Sequence, residues 1–190
     1  MLKLNAKELR GRKPTEEELA SIKRRPIYIV LDNVLDTYNI GGLFRLADSV
    51  AASQVILCGQ SETPPSSRIH KAAVGTEEWV AWRYSPTALE YLQEFKIQNS
   101  KCKIVAVEQS KKSISYTEID ESPITNHPSP ITHHSSPIAV VVGHETEGVS
   151  KDVLDVADVI VELPMFGVNK SLNVIVSAAI VLYKILEQWE

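Results

Sequence analysis

Three short polar clusters hold the residue types that could orient a nucleophile and grip an anion. The first pairs Asn39 with Arg45, the second reads Gly143-His-Glu145-x-Glu-Gly148, and the third runs from Leu163-Pro-Met165 to Ser171-Leu-Asn173. A guanidinium grips a phosphate or carboxylate through two parallel hydrogen bonds, while a carboxylate, a hydroxyl and amides can orient a nucleophile and help a proton move. Each residue also has a plainer reading. Asn39, Ser171 and Asn173 sit where helix caps belong, Gly143 fits a turn, and Leu163 and Leu172 suit a core.

Position in the chain separates these clusters from ordinary polar residues. Each follows an apolar, β-branched run: Ile27 to Leu31, Ile138 to Gly143, and Val159 to Leu163. Such runs read as strands buried on both faces, and open parallel sheets take their ligands at the carboxyl ends of their strands. Further strands are predicted at 55–59, 80–84 and 103–109. Between them lie helices over about 40–51, with Asn39 as cap, from Ser85-Pro86 to about 98, from Ser150 over SKDVLDVA, and from Ser171 to the C-terminus. The polar residues 60–78 and the Ser-, Thr-, Pro- and His-rich stretch 110–137 read as loops. This alternation predicts an α/β fold with a mostly parallel sheet flanked by helices. The terminal helix is apolar around most of its circumference, so it needs cover on several sides, and a second copy of the chain is the expected cover.

Composition narrows the function further. The 190 residues, 44% hydrophobic and 23% charged, fit one globular domain. The longest nearly apolar run, Leu172 to Tyr183, is shorter than the roughly 20 residues of a membrane span, and the first residues lack the apolar core of a secretory signal. A cytoplasmic location is therefore expected. Cys58 and Cys102 lie in apolar runs and read as buried, reduced thiols. His127, His133 and His134 lack the spacing and the fourth ligand of a zinc site, so no metal is expected. The net charge of -4 divides unevenly: residues 1–25 hold eight Lys or Arg against four Glu, a net +4, and the remainder is net -8. A basic N-terminal arm on an acidic body is a pattern that often contacts nucleic-acid phosphates, Arg12 and Lys13 included. Arg68, His70, Lys71 and Arg83 with Trp79 and Trp82 nearby mix cations and aromatics as RNA contacts do, although Trp82 reads better as core.

Three blocks in order and spacing, LDNVLDTYNIGGLFRLADSV, IAVVVGHETEGVS and VELPMFGVNKSLNVIVSAAIVLY, resemble the SpoU or TrmH-like RNA 2'-O-ribose methyltransferases of the SPOUT class over residues 26–190. The resemblance implies a SPOUT-type domain with a C-terminal trefoil knot, an S-adenosylmethionine site in that knot and a homodimer formed through the knot and the C-terminal helix. It assigns the cofactor to Gly143, Leu163, Pro164, Met165, Ser171, Leu172 and Asn173, and the catalytic work to Asn39, Arg45, Glu145, Ser171 and Asn173. It also places Arg45, Arg68 and Lys71 against RNA. Arg45 is read first as a positioner and charge stabiliser, because a guanidinium with a pKa above about 12 is a poor proton acceptor. His144 departs from the small polar residue or Asn common at that position and reads as a variant loop residue. The implied reaction is methyl transfer to a ribose 2'-hydroxyl of tRNA or rRNA, with tRNA favoured by the lack of an added N-terminal RNA-binding domain. The rival is a non-catalytic RNA-binding module that retains the fold. A nucleotide-binding Rossmann enzyme is disfavoured, since no GxGxxG follows the first strand.

Overall fold

The apolar runs become seven parallel strands of one sheet in a computed structural model that describes residues 3–119 and 136–187. In chain order the strands are β1 (Arg25–Asp32), β2 (Ala52–Cys58), β3 (Trp82–Ser85), β4 (Lys103–Val107), β5 (Ile114–Ser115), β6 (Ile138–Gly143) and β7 (Val159–Glu162), arranged β3-β2-β1-β6-β4-β7-β5. The α/β, mostly parallel architecture is thus as the alternation predicts. From β1 the chain builds outward to β3, crosses to β4, and later inserts β6 between β1 and β4. That insertion makes the β6 end a switch point, where such sheets leave a crevice. The register between β1 and β6 is unbroken from Ile27 beside Ile138 to Asp32 beside Gly143, so both strands end at one level.

Strand alternation divides the core. Ile27, Ile29 and Leu31 of β1 pack with helices α3 (Thr37–Ser49) and α7 (Val174–Leu186) on one face of the sheet. Val30 packs on the other face with α5 (Ala88–Gln98) and α6 (Lys151–Val156). α7 buries Ala178, Val181, Leu182 and Ile185, while Val176 and Tyr183 on the same helix stay exposed. Its apolar girth is therefore only partly covered within one chain. Among the described residues no helix is long and apolar enough to cross a membrane.

Several boundaries differ from the sequence reading, each for a local reason. Asp36 rather than Asn39 caps α3, its carboxylate accepting from the Tyr38 N–H at 2.8 Å, which frees Asn39 to lie buried in the first turn. Thr87 caps α5, because Ser85 is the last residue of β3 and pairs beside Cys58. Asn173, not Ser171, caps α7. Ser150 stands at the start of α6 without a side-chain cap, and its N–H instead donates to the buried Asp32 carboxylate at 2.8 Å. The polar segment 60–78 contains helix α4 (Ser67–Ala73) and a 3-10 turn at Thr76–Glu78. Only Ile69 and Ala73 signal α4 by apolar spacing, and both are buried. Trp79 is the core residue of the pair, while Trp82 is half-buried. Residues 120–135, which include His127 and His133–His134, lie outside the described residues. Burial pushes the Cys58 thiol up to about 12, and burial also raises Cys102, in keeping with reduced, unreactive thiols.

The basic N-terminal residues fold back on this core. Helices α1 (Ala6–Gly11) and α2 (Glu16–Ser21) each begin with a capping box, at Asn5 and Thr15. Arg12 makes two 2.7 Å hydrogen bonds to Glu18 and lies 5.3 Å over the Trp79 ring, and Lys13 pairs with Glu78 at 3.2 Å. The hydrogen bond from Arg12 holds the Glu18 carboxyl down at about 2. Arg24 donates to the Trp79 carbonyl at 2.6 Å.

Helix α3 is fixed by a glycine. A Cβ on Gly41 would stand 2.5 Å from the Ala72 Cβ and 2.8 Å from the Ile69 carbonyl, so α4 backs directly onto α3 there. Gly41→Ala should lower the unfolding free energy by about 1–3 kcal/mol through overpacking, measurable by urea titration with an unchanged m-value.

Candidate functional site

A cavity of about 550 Å³ opens at the carboxyl ends of β4, β6 and β7, within the range of about 300–1,000 Å³ typical of small-molecule sites. The loop after β6 and the segment between β7 and α7 form its walls, and Asn39 of α3 closes one side. Residues from each of the three polar clusters thus reach one cavity, Asn39 alone from the first.

Asn39 is the junction. Its side-chain carbonyl accepts from the Asn173 amide at 2.9 Å, and its own amide donates to Glu145 Oε1 at 2.8 Å. Asn173 spends its remaining oxygen on the Ile175 N–H at 2.9 Å, capping α7. Glu145 also accepts from the backbone N–H groups of Asp36 at 3.0 Å and Leu35 at 3.2 Å. Partial burial raises the Glu145 carboxyl, but hydrogen bonds from Asn39 and from backbone N–H groups outweigh it and leave the group below its ordinary value. The site therefore holds a carboxylate whose near lone pairs are already engaged. Asn39 itself is 5% exposed, so an unpaired amide there would be costly.

The loop Gly143–Gly148 is shaped by two close approaches. A Cβ on Gly143 would run into the backbone of Gly148 and Val149, and one on Gly148, where φ is +71°, would meet the Glu108 carboxylate. Only glycine fits either position. His144 closes the turn: its backbone pairs with Gly148 in both directions, and its Nδ1 accepts from the N–H groups of Thr146 at 3.0 Å and Glu147 at 3.2 Å. An Asn or Asp side chain commonly makes this turn-closing contact, so the imidazole stands in for an amide oxygen.

Of the residues assigned to the cofactor, Gly143, Leu163, Met165, Ser171, Leu172 and Asn173 line the cavity, while Pro164 is exposed and outside the lining. Asn39, Glu145, Ser171 and Asn173 of the catalytic set line it as well. Arg45 does not. It lies exposed on α3, outside the lining, and among the described residues it has no hydrogen bond or ion pair. Arg68 and Lys71 are exposed on α4, away from the cavity, and Arg12 and Lys13 are engaged in the ion pairs described above. The sequence reading missed Glu108, Gln109 and Lys170 in the lining. A signal for the first two existed, since a polar pair directly follows the apolar run of β4, as in the other clusters. The sequence pattern runs the strand on through 109, whereas β4 ends at Val107 and leaves both residues at its carboxyl end.

The model of the SpoU rRNA Methylase family matches residues 26–183. The chain belongs to this family. A SpoU-family relative, the tRNA (guanosine(18)-2'-O)-methyltransferase of Aquifex aeolicus, is 28% identical over 174 residues, 91% of this chain and 74% of that protein. The 23S rRNA (guanosine-2'-O-)-methyltransferase RlmB of Haemophilus influenzae is 27% identical over 172 residues, and the chain spans 64% of its length, just under two thirds. Among solved structures, the A. aeolicus TrmH/SpoU tRNA modifying enzyme has a TM-score of 0.72 at 27% identity, covering 96% of this chain and 81% of that one. The AdoMet-bound rRNA methyltransferase of Sinorhizobium meliloti has a TM-score of 0.73 at 24% identity, covering 96% and 60%, and shares the fold. The SpoU fold and the cavity at its switch point are thus the frame for the polar junction.

Two measurements test the site's internal geometry. A carboxyl held below its ordinary value contributes stability that is full above the normal glutamate range and fades as pH falls through the lowered value. The difference in melting midpoint between the wild type and Glu145→Gln should therefore stay constant from about pH 5 to 8 and shrink below about pH 4. His144→Asn should keep the wild-type activity at both pH 6 and pH 8, because an amide oxygen closes the same turn, whereas His144→Leu should lose it.

Proposed function

We propose that the chain transfers a methyl group from S-adenosylmethionine to a ribose 2'-hydroxyl of tRNA or rRNA, in the cytoplasm where those RNAs reside. The observation that carries this reading is the junction of Asn39, Glu145 and Asn173 on a cavity at the carboxyl ends of β4, β6 and β7. The residues fit the cofactor. Gly143 and Gly148 bring loop backbone to the cavity lining, and Leu163, Met165 and Leu172 provide apolar wall for an adenine ring. We read the C-terminal third, whose loops make this cavity, as the trefoil knot of the class.

S-adenosylmethionine supplies a methyl group already activated by a sulfonium, so the protein needs no metal for the step. When bound it would give up that methyl carbon to the ribose 2'-oxygen, and the hydroxyl proton would pass to solvent water at the cavity mouth, because Glu145 is engaged and a guanidinium is a poor acceptor. Asn39 and Asn173 hold amides at the cavity side in fixed orientation, and Ser171 brings a hydroxyl to the same lining. Glu145 sets Asn39 rather than accepting the proton, because its carboxylate already holds three donors. Arg45 is the one member of the set free to grip the RNA phosphate beside the target ribose, with Arg68 and Lys71 extending the cationic surface. The contribution of Arg12 and Lys13 is indirect, through the fold of the N-terminal helices.

Arg45 outside the cavity points to a second copy. It lies one turn beyond Gly42, which packs against Ile175 of α7, and so flanks the helix whose Val176 and Tyr183 remain exposed. A homodimer formed over this face buries those side chains and brings each Arg45 toward the partner's cavity.

Incubation with bulk RNA and methyl-labelled S-adenosylmethionine should yield alkali-resistant labelled dinucleotides. Absence of label across tRNA and ribosomal RNA would favour a binding module without catalysis. Arg45→Ala should reduce transfer by about 100-fold or more while cofactor affinity holds. Mixing Arg45→Ala with Asn173→Ala chains should restore about a quarter of wild-type activity if sites are shared across a two-fold, and none if each chain uses its own arginine.

A further inference from the structure

We infer that Glu108 and Gln109, the two residues after β4, are positioning residues that form a bracket between the two walls of the cofactor cavity. The inference rests on the proposed function for the identity of the ligand. The bracket itself stands on geometry.

Glu108 holds the first wall. Its Oε2 accepts from the Val149 N–H at 2.8 Å, and its Oε1 accepts from the Gln109 N–H at 2.8 Å. Charge-assisted bonds of this kind are among the stronger ones in proteins. The carboxylate lies directly against the bare Cα of Gly148, so the loop that follows β6 is seated on Glu108 and bonded to it. Any Cβ at 148 would dislodge this contact.

Gln109 holds the second wall. Its Nε2 donates to the Lys170 carbonyl at 2.6 Å. Among the described residues, this is the one hydrogen bond between residues 163–172 and the rest of the chain, the only other bond of that segment being Asn169 to Ser171 within it. The segment carries Leu163, Met165, Ser171 and Leu172 into the lining, yet Phe166 and Val168 beside them are fully exposed and contribute no anchorage. Nothing else polar fixes its distance from the Gly143–Gly148 loop until Asn173 reaches Asn39. Two adjacent side chains on one rigid strand end therefore set the width of the cavity, and the adjacency itself is the device: the reach of one constrains the other.

The test uses the full chain and measures S-adenosylmethionine by calorimetry without RNA, and RNA by anisotropy without cofactor. Glu108→Ala and Gln109→Ala should each weaken S-adenosylmethionine by about tenfold or more while RNA affinity changes less than about twofold. The KM for S-adenosylmethionine should rise with kcat at saturation nearly unchanged, a split that general destabilisation does not produce. Glu108→Gln keeps one acceptor and should recover part of the loss. Gln109 is exposed, so its truncation leaves the core intact and keeps the test valid if Glu108→Ala fails to fold. Hydrogen exchange should quicken at Val149 in Glu108→Ala and across 163–172 in Gln109→Ala, with no ligand present. Cofactor affinity equal in wild type and both variants overturns the bracket, as does an equal loss of RNA affinity. A wild type that binds no S-adenosylmethionine while exchange responds as described overturns the proposed function and leaves the bracket as a brace for another ligand.

Discussion

The buried amide of Asn39 is the constraint around which the rest of the site is arranged. It must satisfy a donor and an acceptor away from water, and it does so by binding one residue of the β6 loop and one at the start of α7. Helix α3 is thereby fixed to two elements that lie more than a hundred residues further along the chain. Everything that positions Asn39 serves this junction. Asp36 takes over the helix cap, Gly41 lets α4 press α3 inward, and the shared end of β1 and β6 sets the level from which both loops leave the sheet. A polar junction at the bottom of a cavity is also a device for specificity: a displaced loop leaves an unpaired amide, and that penalty keeps the loops in place.

The fold was legible in the sequence because apolar runs and helical periods report burial directly, and burial is what a parallel sheet demands of its strands. The six longer strands were visible in this way. β5, two residues long, has too little pattern to see, and α4 shows only Ile69 and Ala73. The caps were misassigned where several competent residues stood close together. Asp36, Asn39, Ser85 and Thr87 are all good caps by type, and the choice among them depends on where strands end and on which side chain the tertiary structure needs elsewhere. For Asn39 that need is the junction, so the failure of its helix-cap reading marks the residue as occupied in the site.

The candidate site was legible to the same extent and with the same blind spot. Gly143, Glu145, Leu163, Ser171 and Asn173 follow apolar runs, and parallel topology brings such positions together. The roles of Glu108 and Gln109 were not visible, because a role as brace depends on the distance between two loops and leaves no trace in residue type. The charge division was visible but its meaning changed. Residues 1–25 are basic, yet Arg12 and Lys13 are held by Glu18 and Glu78, so these two cations lie against the domain while Lys3, Lys7, Arg10 and Lys23 stay exposed.

Arg45 then becomes the informative residue. An exposed arginine that has no partner among the described residues adds little to the fold of one chain, since exposed guanidinium groups contribute little to stability. Apolar groups are uncovered as well: α7 leaves Val176 and Tyr183 exposed, and Phe166 and Val168 are exposed in the segment that precedes it. A cation without a partner among the described residues and uncovered apolar groups call for different complements. The apolar face suits a second copy, through an isologous contact that buries like against like, and the cation suits a phosphate, which an acidic body would otherwise repel. One arrangement meets both demands. The proposed two-fold over α7 would cover the apolar face and leave Arg45 at the boundary between the chains, facing the phosphate of the proposed RNA substrate.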